Sequence, residues 1–166
     1  MNHNQTFEFV PGKVTTLSTH LEKPSPFYFG YDIQESFMSE LEKYSFDQIF
    51  FFTEPHLFEA YGKELYDRIS EKYTCSLEFV PPGEKCKYFP ILEQTCEKLI
   101  AKGASKKTIL IAFGGGTVGN VVGLAAGLVY RGLRFIEIPT SMTGQTDSTL
   151  SNKQAVNGTT GKNHFG

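Results

Sequence analysis

Residues 108–127 read TILIAFGGGTVGNVVGLAAG, and this stretch decides the fold that the sequence predicts. An apolar run (108–113) is typical of a buried strand. It passes through three glycines into a segment (117–130) of mostly Val, Leu, Ala and Gly, which indicates a buried helix. Glycine lets the backbone turn sharply and leaves room for a ligand atom beside the amides. The first amides of a helix lack internal partners, which favours a phosphate group there.

The spacing of these glycines leaves several interpretations open. Gly114, Gly116 and Gly119 fit the pattern G-x-G-x-x-G of a dinucleotide-binding loop, but that pattern alone is a weak indicator. The motif also follows more than a hundred residues of chain. The acidic residue at the expected distance, Glu137, lies inside a predicted strand rather than at its tip. The residues therefore favour a phosphate-binding turn that differs from the usual Rossmann arrangement, and a purely structural entry to a core helix is the alternative.

Alternating strands and helices over most of the chain predict an α/β domain with a Rossmann-like, largely parallel sheet flanked by helices. The predicted strands are 6–10, 13–18, 27–30, 48–53, 74–80, 108–113 and 134–138. The first two flank Pro11-Gly12, a strong turn signal, and form a predicted N-terminal β-hairpin.

The predicted helices are 36–43, 56–73, a helix with Pro90 near its first turn and Gly103 as C-cap, and 117–130. Apolar residues at helical spacing identify the inward-facing side chains of the second and third. These residues are Leu57, Tyr61, Leu65, Ile69, Leu92, Cys96, Leu99 and Ile100. In the last helix, Gly119, Gly123 and Gly127 share one face and predict close packing against a neighbour.

Composition excludes several classes of protein. The chain has 166 residues, 40% hydrophobic and 20% charged, with a net charge of -2, which predicts one folded, soluble domain. This balance does not favour a nucleic-acid-binding or membrane-surface role. Cys75, Cys86 and Cys96 form no C-x-x-C pair, so we expect reduced thiols and a cytoplasmic location. We expect no secretory signal and no membrane span.

From Pro139 onward small and polar residues dominate, and clear periodicity stops. A segment of this length without periodicity is uncommon in a compact domain unless it is functional or disordered. Its ammonium and amide groups match the oxygens of an anionic, hydroxylated ligand, whereas a solvated surface loop is the alternative. The polar residues concerned are Thr140, Ser141, Asp147, Lys153, Asn157, Lys162 and Asn163.

Several motifs follow one another along the chain: PGEKCK (82–87), GGGTVGN (114–120), AAGLVYRG (125–132), FIEIPTS (135–141), DSTLSNKQAVN (147–157) and GKN (161–163). Their order and spacing resemble the 3-dehydroquinate synthase family of NAD-dependent sugar-phosphate cyclases. The resemblance implies bound NAD⁺, a divalent metal (zinc or cobalt) and a sugar-phosphate substrate. It also implies transient oxidation, phosphate elimination, re-reduction and intramolecular aldol closure to a carbocycle.

The resemblance further implies that residues 1–166 are the NAD-binding α/β domain of a longer two-domain enzyme. In the family, a helical C-terminal domain supplies one Glu and two His to the metal. We expect no metal ligand in this chain and no complete reaction by it alone.

By resemblance, the cofactor contacts are Glu54, Glu84, Lys87, Gly114, Gly115, Gly116, Asn120, Thr140, Ser141, Asp147 and Lys162. The glycines are expected to hold the pyrophosphate. Residues 140, 141 and 147 are expected near the ribose and nicotinamide, and residues 84 and 87 near the adenosine half. Glu54 stands where the family often has a shorter Asp or Asn.

Substrate or catalytic contacts by resemblance are Lys153, Lys162, Asn163 and Arg131. The arginine is expected to reach the substrate phosphate of a second subunit, which implies a homodimer. Structural alternatives exist for two residues, since Asp147 could cap a helix and Arg131 could offset a helix dipole.

Within the family, Asn120 and SNKQ (151–154) are more similar to the 2-deoxy-scyllo-inosose synthases, which act on glucose 6-phosphate. Dehydroquinate synthases, which act on a seven-carbon keto-acid phosphate, more often have Asp and GGKT at these positions. Two other functions remain open. One is a glycerol-dehydrogenase-like alcohol dehydrogenase that depends on a metal and NAD, and the motifs at 147–157 and 161–163 argue against it. The other is a non-catalytic NAD-binding module.

Overall fold

The computed structural model describes residues 25–30, 32–151 and 153–166, so the predicted N-terminal hairpin lies outside the described residues. Four strands form one sheet: β1 (Ile49–Thr53), β2 (Cys75–Phe79), β3 (Ile109–Gly114) and β4 (Arg134–Pro139). All pairings are parallel and the strand order is β2-β1-β3-β4. The predicted α/β fold with a parallel sheet is confirmed.

The two central strands are buried over their whole length because helices cover both faces of the sheet. Successive side chains of a strand point to opposite faces, which divides the core in two. Phe50 and Phe52 pack on one face with residues of the later helices, whereas Phe51 packs on the other face with Leu65 and Ile69. The aromatic run of β1 therefore fills both halves of the core.

Six α-helices surround the described sheet: α1 (Gln34–Leu41), α2 (Pro55–Leu57), α3 (Lys63–Lys72), α4 (Phe89–Ala101), α5 (Gly116–Leu128) and α6 (Thr149–Ser151). A π turn (Phe58–Gly62) joins α2 to α3, and a second one (Gly144–Ser148) precedes α6. Short 3₁₀ turns occupy Gly83–Cys86 and Val129–Arg131. Within the described ranges, no helix has both the length and the apolar character that a bilayer crossing requires.

The π turn changes which side chains of the second predicted helix face the core. Tyr61, predicted to point inward, is 73% exposed, while Phe58 and Gly62 are buried. A π turn holds more residues per turn than an α-helix, so spacing by four no longer keeps residues on one face. A Cβ at Gly62 would lie 3.3 Å from the Phe113 ring, so the small residue permits this close approach.

Two further expectations were wrong. Residues 27–30 form no strand, and the side chains of Phe27, Tyr28 and Phe29 are exposed. Ile100 is 48% exposed because the buried face of α4 passes through Leu92 and Leu99, and a residue adjacent to Leu99 is turned away from that face.

The glycine face of α5 is close-packed along part of its length. A Cβ at Gly119 would lie 2.1 Å from Glu137 Oε1, and a Cβ at Gly123 would lie 2.4 Å from Gln154 Cγ. At Gly127, nothing lies within 4 Å of the added atom. The prediction of close packing is therefore correct for the first two glycines and wrong for Gly127, which lies at the exposed end of the helix.

The burial of the cysteines limits their chemistry. All three are free thiols, and burial raises the pKa of Cys75 and of Cys86 to about 12. These two thiols stay protonated at neutral pH, and the thiolate is the reactive form. They are part of the core packing.

We predict opposite effects of two glycine-to-alanine substitutions on α5. Gly127→Ala stabilises the protein by about 0.5–1 kcal/mol because alanine has the higher helix propensity and its methyl group meets open space. Gly123→Ala destabilises it by about 1–3 kcal/mol because its methyl group collides with Gln154. Urea unfolding followed by circular dichroism measures both. Equal effects of the two substitutions would contradict the packing described for this face.

Candidate functional site

The candidate site lies at the carboxyl ends of β1 and β3. β2 lies on one side of β1, and β3 lies on the other side of β1. The direction in which successive strands are added therefore reverses between β1 and β3. In open parallel sheets such a reversal leaves a crevice outside the strand ends, where ligands bind. Glu54 directly follows β1, and Gly115 directly follows β3. The glycine loop therefore lies at the topological switch point.

The glycine loop connects β3 to the N-terminus of α5. Gly115 is the N-cap of that helix, and the amides of Gly116 and Thr117 open its first turn, where no intrahelical acceptor exists. The carbonyl of Gly114 accepts a hydrogen bond from the Thr140 amide at 2.9 Å, which fixes the loop against the end of β4. These amides and the partial positive charge of the helix N-terminus suit a phosphate oxygen.

Serine side chains border the loop on the side of the segment after β4. A Cβ at Gly115 would lie 3.3 Å from Ser141 Oγ, and a Cβ at Gly116 would lie 3.1 Å from Ser148 Oγ. Ser141 Oγ also accepts a hydrogen bond from the Gly144 amide at 3.1 Å, so its position is fixed. Glycine at both loop positions keeps a narrow space between backbone and hydroxyls free of side chains.

Asn120 joins the loop to the segment that follows α6. Its side-chain amide donates to the Gly116 carbonyl, and its carbonyl oxygen accepts from the Ala155 amide. Both polar ends of the side chain are thus used within the protein. The structure gives Asn120 a bridging position, with one contact to the loop that was predicted to bind the cofactor.

Glu54 is buried, with only 6% of its surface exposed. It lies beside the turn that carries the PGEKCK motif. One of its carboxylate oxygens accepts a hydrogen bond from the Gly83 amide at 3.2 Å, and the other lies 3.5 Å from His56 Nδ1. Gly83 has φ +64, a conformation that glycine adopts without strain. Glu54 therefore connects the end of β1 to the 3₁₀ turn (Gly83–Cys86).

A polar cluster forms where that 3₁₀ turn meets the last part of the chain. We define this polar cluster as Glu84, Lys87, Asn157, Lys162 and Asn163. Lys162 Nζ lies 3.6 Å from Glu84 Oε1, and Lys87 Nζ donates to Asn163 Oδ1. Lys87 is only 7% exposed, so a buried ammonium group faces an amide oxygen instead of water. The structure brings together four residues that the sequence predicted from two separate motifs.

The charge of Glu84 is favoured by its neighbours. The hydrogen bond from Asn157 lowers the pKa of Glu84 below its usual value, and the ammonium groups of Lys162 and Lys87 add to this effect. The Glu84 carboxylate thus lies near two ammonium groups, and these groups carry positive charge that suits an anionic ligand.

Three predicted residues lie away from the hydrogen bonds of the cluster. Lys153 and Asp147 are exposed, the latter on the second π turn. Arg131 is also exposed, beyond the C-terminus of α5, a 13-residue helix whose N-terminus carries the glycine loop. At about 1.5 Å per residue, Arg131 is roughly 20 Å from the loop along that axis. The structure therefore does not bring Arg131 to the loop of its own chain.

Two functional candidates were missed or left without a role by the sequence reasoning. Glu137 on β4 lies against Gly119 in the first turn of α5, and burial raises the pKa of its carboxyl group. Asn157 was counted only as one of several polar residues in the last segment. The charged residue inside the apolar run FIEI (135–138) could have indicated the first, but the contacts of the second join residues far apart in sequence.

The described residues contain no group of three or more His, Cys, Asp or Glu side chains arranged to hold a metal ion. His56 and His164 are both exposed.

Comparison with known proteins gives consistent matches. A model of the 3-dehydroquinate synthase N-terminal family matches residues 78–166. A 3-dehydroquinate synthase of Dictyoglomus thermophilum is 36% identical over 87% of this chain and 39% of that protein. A 2-deoxy-scyllo-inosose synthase of Streptomyces kanamyceticus is 34% identical over 93% of this chain and 40% of that protein. The chain thus spans about two-fifths of the length of these relatives.

A solved structure supports the same match. The crystal structure of a 2-deoxy-scyllo-inosose synthase complexed with carbaglucose-6-phosphate, NAD⁺ and Co²⁺ has a TM-score of 0.76 and 34% sequence identity to this chain. The match covers 82% of this chain and 37% of that one.

We predict that Glu84 contributes to the loss of folding stability at acidic pH. Because its pKa is lowered on folding, its carboxylate stabilises the native state above the pKa of the unfolded chain, and this contribution is lost as pH falls through the folded value. Glu84→Gln should therefore be less stable than the unsubstituted chain at pH 7 and lose less stability on acidification from about pH 5 to about pH 3. Chemical unfolding at each pH measures this.

Glu71→Gln on the exposed surface of α3 is the matched control for this experiment and should leave the pH dependence unchanged. Parallel pH profiles for Glu84→Gln and the unsubstituted chain would contradict the arrangement described for the polar cluster.

Proposed function

Because the chain belongs to the 3-dehydroquinate synthase family, we propose that it is the NAD-binding part of a sugar-phosphate cyclase. The reaction proposed for the whole protein converts a sugar phosphate to a carbocycle by transient oxidation, phosphate elimination, re-reduction and aldol closure. Such a cyclase is a carbon–oxygen lyase that requires NAD and a divalent metal ion. One observation carries the proposal: the glycine loop lies at the switch point between β1 and β3.

The glycine loop fits the pyrophosphate of a dinucleotide. The opening amides of α5 are hydrogen-bond donors, and two adjacent glycines leave the backbone accessible in a space where side chains would meet Ser141 and Ser148. NAD⁺ supplies, when bound, a hydride acceptor that later returns the hydride. The loop would hold the pyrophosphate, with Thr140, Ser141 and Asp147 toward the ribose and nicotinamide.

The polar cluster suits the remaining anionic and hydroxylated groups. Glu84 and Lys87 are proposed to contact the adenosine half of the cofactor. Lys162 and Asn163 are proposed to bind cofactor or substrate oxygens, together with Lys153. Ammonium groups stabilise a phosphate leaving group by charge, and an amide can donate to or accept from a sugar hydroxyl. The lowered pKa of Glu84 supports this, because its carboxylate remains an acceptor over a wide pH range.

Arg131 is proposed to act in a second subunit. It is exposed and follows Tyr130 in a turn where both residues have positive φ, 52° and 65°, which is unusual for residues other than glycine. Strained backbone of this kind often marks a functional constraint. A homodimer in which Arg131 reaches the partner's substrate phosphate would account for its distance from the loop of its own chain.

For the substrate, we propose glucose 6-phosphate, as in 2-deoxy-scyllo-inosose synthases. Asn120 and SNKQ (151–154) support this choice, because the residues at these positions are more similar to those of the 2-deoxy-scyllo-inosose synthases. The alternative is the seven-carbon substrate of 3-dehydroquinate synthase. Titrating both sugar phosphates into the NAD-loaded chain tests the choice, and tighter binding of the seven-carbon compound would contradict it.

We further propose a cytoplasmic location, in accord with three free cysteines, and no complete turnover by residues 1–166 alone. Release of inorganic phosphate from either sugar phosphate by this chain, with NAD⁺ and Co²⁺ added, would contradict the second statement.

We predict saturable binding of one NAD⁺ per chain in calorimetric titration, and weaker binding by Gly115→Ala. The added methyl group lies beside Ser141, in the space proposed for the pyrophosphate, so affinity should fall at least about tenfold. Backbone strain is not expected, because Gly115 has φ -77 and ψ -177. The melting temperature should therefore change little.

Gly127→Ala is the matched control for this titration, since it adds the same atom at the far end of α5. No saturable binding by the unsubstituted chain would overturn the proposed function and favour a structural role for the loop. Equal affinity of both variants would overturn the assignment of the loop as the pyrophosphate site.

A further inference from the structure

We propose that Asn157 is a positioning residue that holds Glu84, Lys162 and Asn163 in one arrangement at the edge of the candidate site. This inference rests on the proposed function, which supplies the ligand, while the positional part rests on contacts within the chain. Asn157 is 2% exposed, and both ends of its side-chain amide are bonded within the chain, so we assign it no direct contact with the ligand.

The backbone amide, the side-chain nitrogen and the side-chain oxygen of Asn157 each have a hydrogen-bond partner. Its backbone amide donates to the Lys87 carbonyl at 2.8 Å, and its side-chain nitrogen donates to Glu84 Oε1 at 2.9 Å. Its side-chain oxygen accepts from the Asn163 amide at 2.9 Å. One buried side chain thus connects the PGEKCK motif to the GKN motif.

The bond to Asn163 has a conformational consequence. Asn163 has φ +56, in the left-handed region that residues other than glycine enter at an energetic cost. The hydrogen bond from its amide to Asn157 holds the backbone in that region, and Lys87 binds its side chain from the other side. The position of Asn163 therefore depends on two buried partners.

The bond to Glu84 fixes the charge pattern of the cluster. Glu84 Oε1 receives the Asn157 amide and also faces Lys162 Nζ at 3.6 Å. Without the amide, this oxygen would lose its buried partner and the carboxylate would be free to rotate, so its distance from Lys162 would no longer be set. Asn157 thereby fixes where the carboxylate meets the ammonium group that is proposed to bind the ligand.

An exchange of donor and acceptor tests this directly. Asn157→Asp places a carboxylate against Glu84, so we expect NAD⁺ to bind about ten- to a hundredfold more weakly in calorimetric titration. In Asn157→Asp/Glu84→Gln, the amide of the glutamine donates to the new carboxylate. Affinity should return to within about threefold of Glu84→Gln alone, which identifies the contact between positions 84 and 157 as the cause of the loss.

A second measurement keeps the inference testable whatever the ligand. Hydrogen exchange of the Asn163 amide should be slow in the unsubstituted chain, faster in Asn157→Asp and slow again in the double variant. Gln94→Glu, which makes the same amide-to-carboxylate change on the exposed surface of α4, should alter neither affinity nor exchange. Circular dichroism confirms that each variant is folded at the temperature of measurement.

The outcomes separate the two claims. If the unsubstituted chain does not bind NAD⁺ but exchange follows the predicted pattern, the proposed function fails and the positioning role of Asn157 stands. If NAD⁺ binds and Asn157→Asp changes neither affinity nor exchange, or the double variant shows no rescue of either, the inference about Asn157 is overturned.

Discussion

The parallel pairing of β1 with β3 is the interaction on which the rest of the structure depends. Both strands are buried over their whole length, and their side chains fill the core on both faces of the sheet. Because the strands run in the same direction, the residues that follow them emerge at one edge. The parallel register pairs Thr53 with Phe113, so Glu54 and the glycine loop begin at the same level of the sheet. The position of the candidate site is a direct result of this pairing.

Around that edge, the protein combines a helix N-terminus with buried polar contacts. The glycine loop offers amides and little steric bulk, while the polar cluster offers two ammonium groups beside a carboxylate of lowered pKa. Buried polar groups are stable only when they are paired, and here the partners come from distant parts of the chain. The same hydrogen bonds therefore stabilise the end of the chain and orient the groups proposed to bind ligand.

The sequence predicts the sheet and the loop because their signals are local. Apolar runs identify β1 and β3, and the glycines with the following apolar segment identify α5. The π turn after α2 could not be predicted in this way, because no local sequence pattern indicates the extra residue per turn. This extra residue moves Tyr61 to the surface. The role of Asn157 could not be predicted in this way either, because Glu84 and Asn157 are separated by 73 positions and meet only after the sheet has formed.

The central claim is that the switch point between β1 and β3 binds NAD⁺, and amide chemical shifts measured by NMR during titration test it most directly. The account predicts the largest changes at Gly115, Gly116 and Thr117, with further changes at Glu84 and Lys87. Changes confined to another surface, such as the exposed side of α4, or no changes at all, would contradict it.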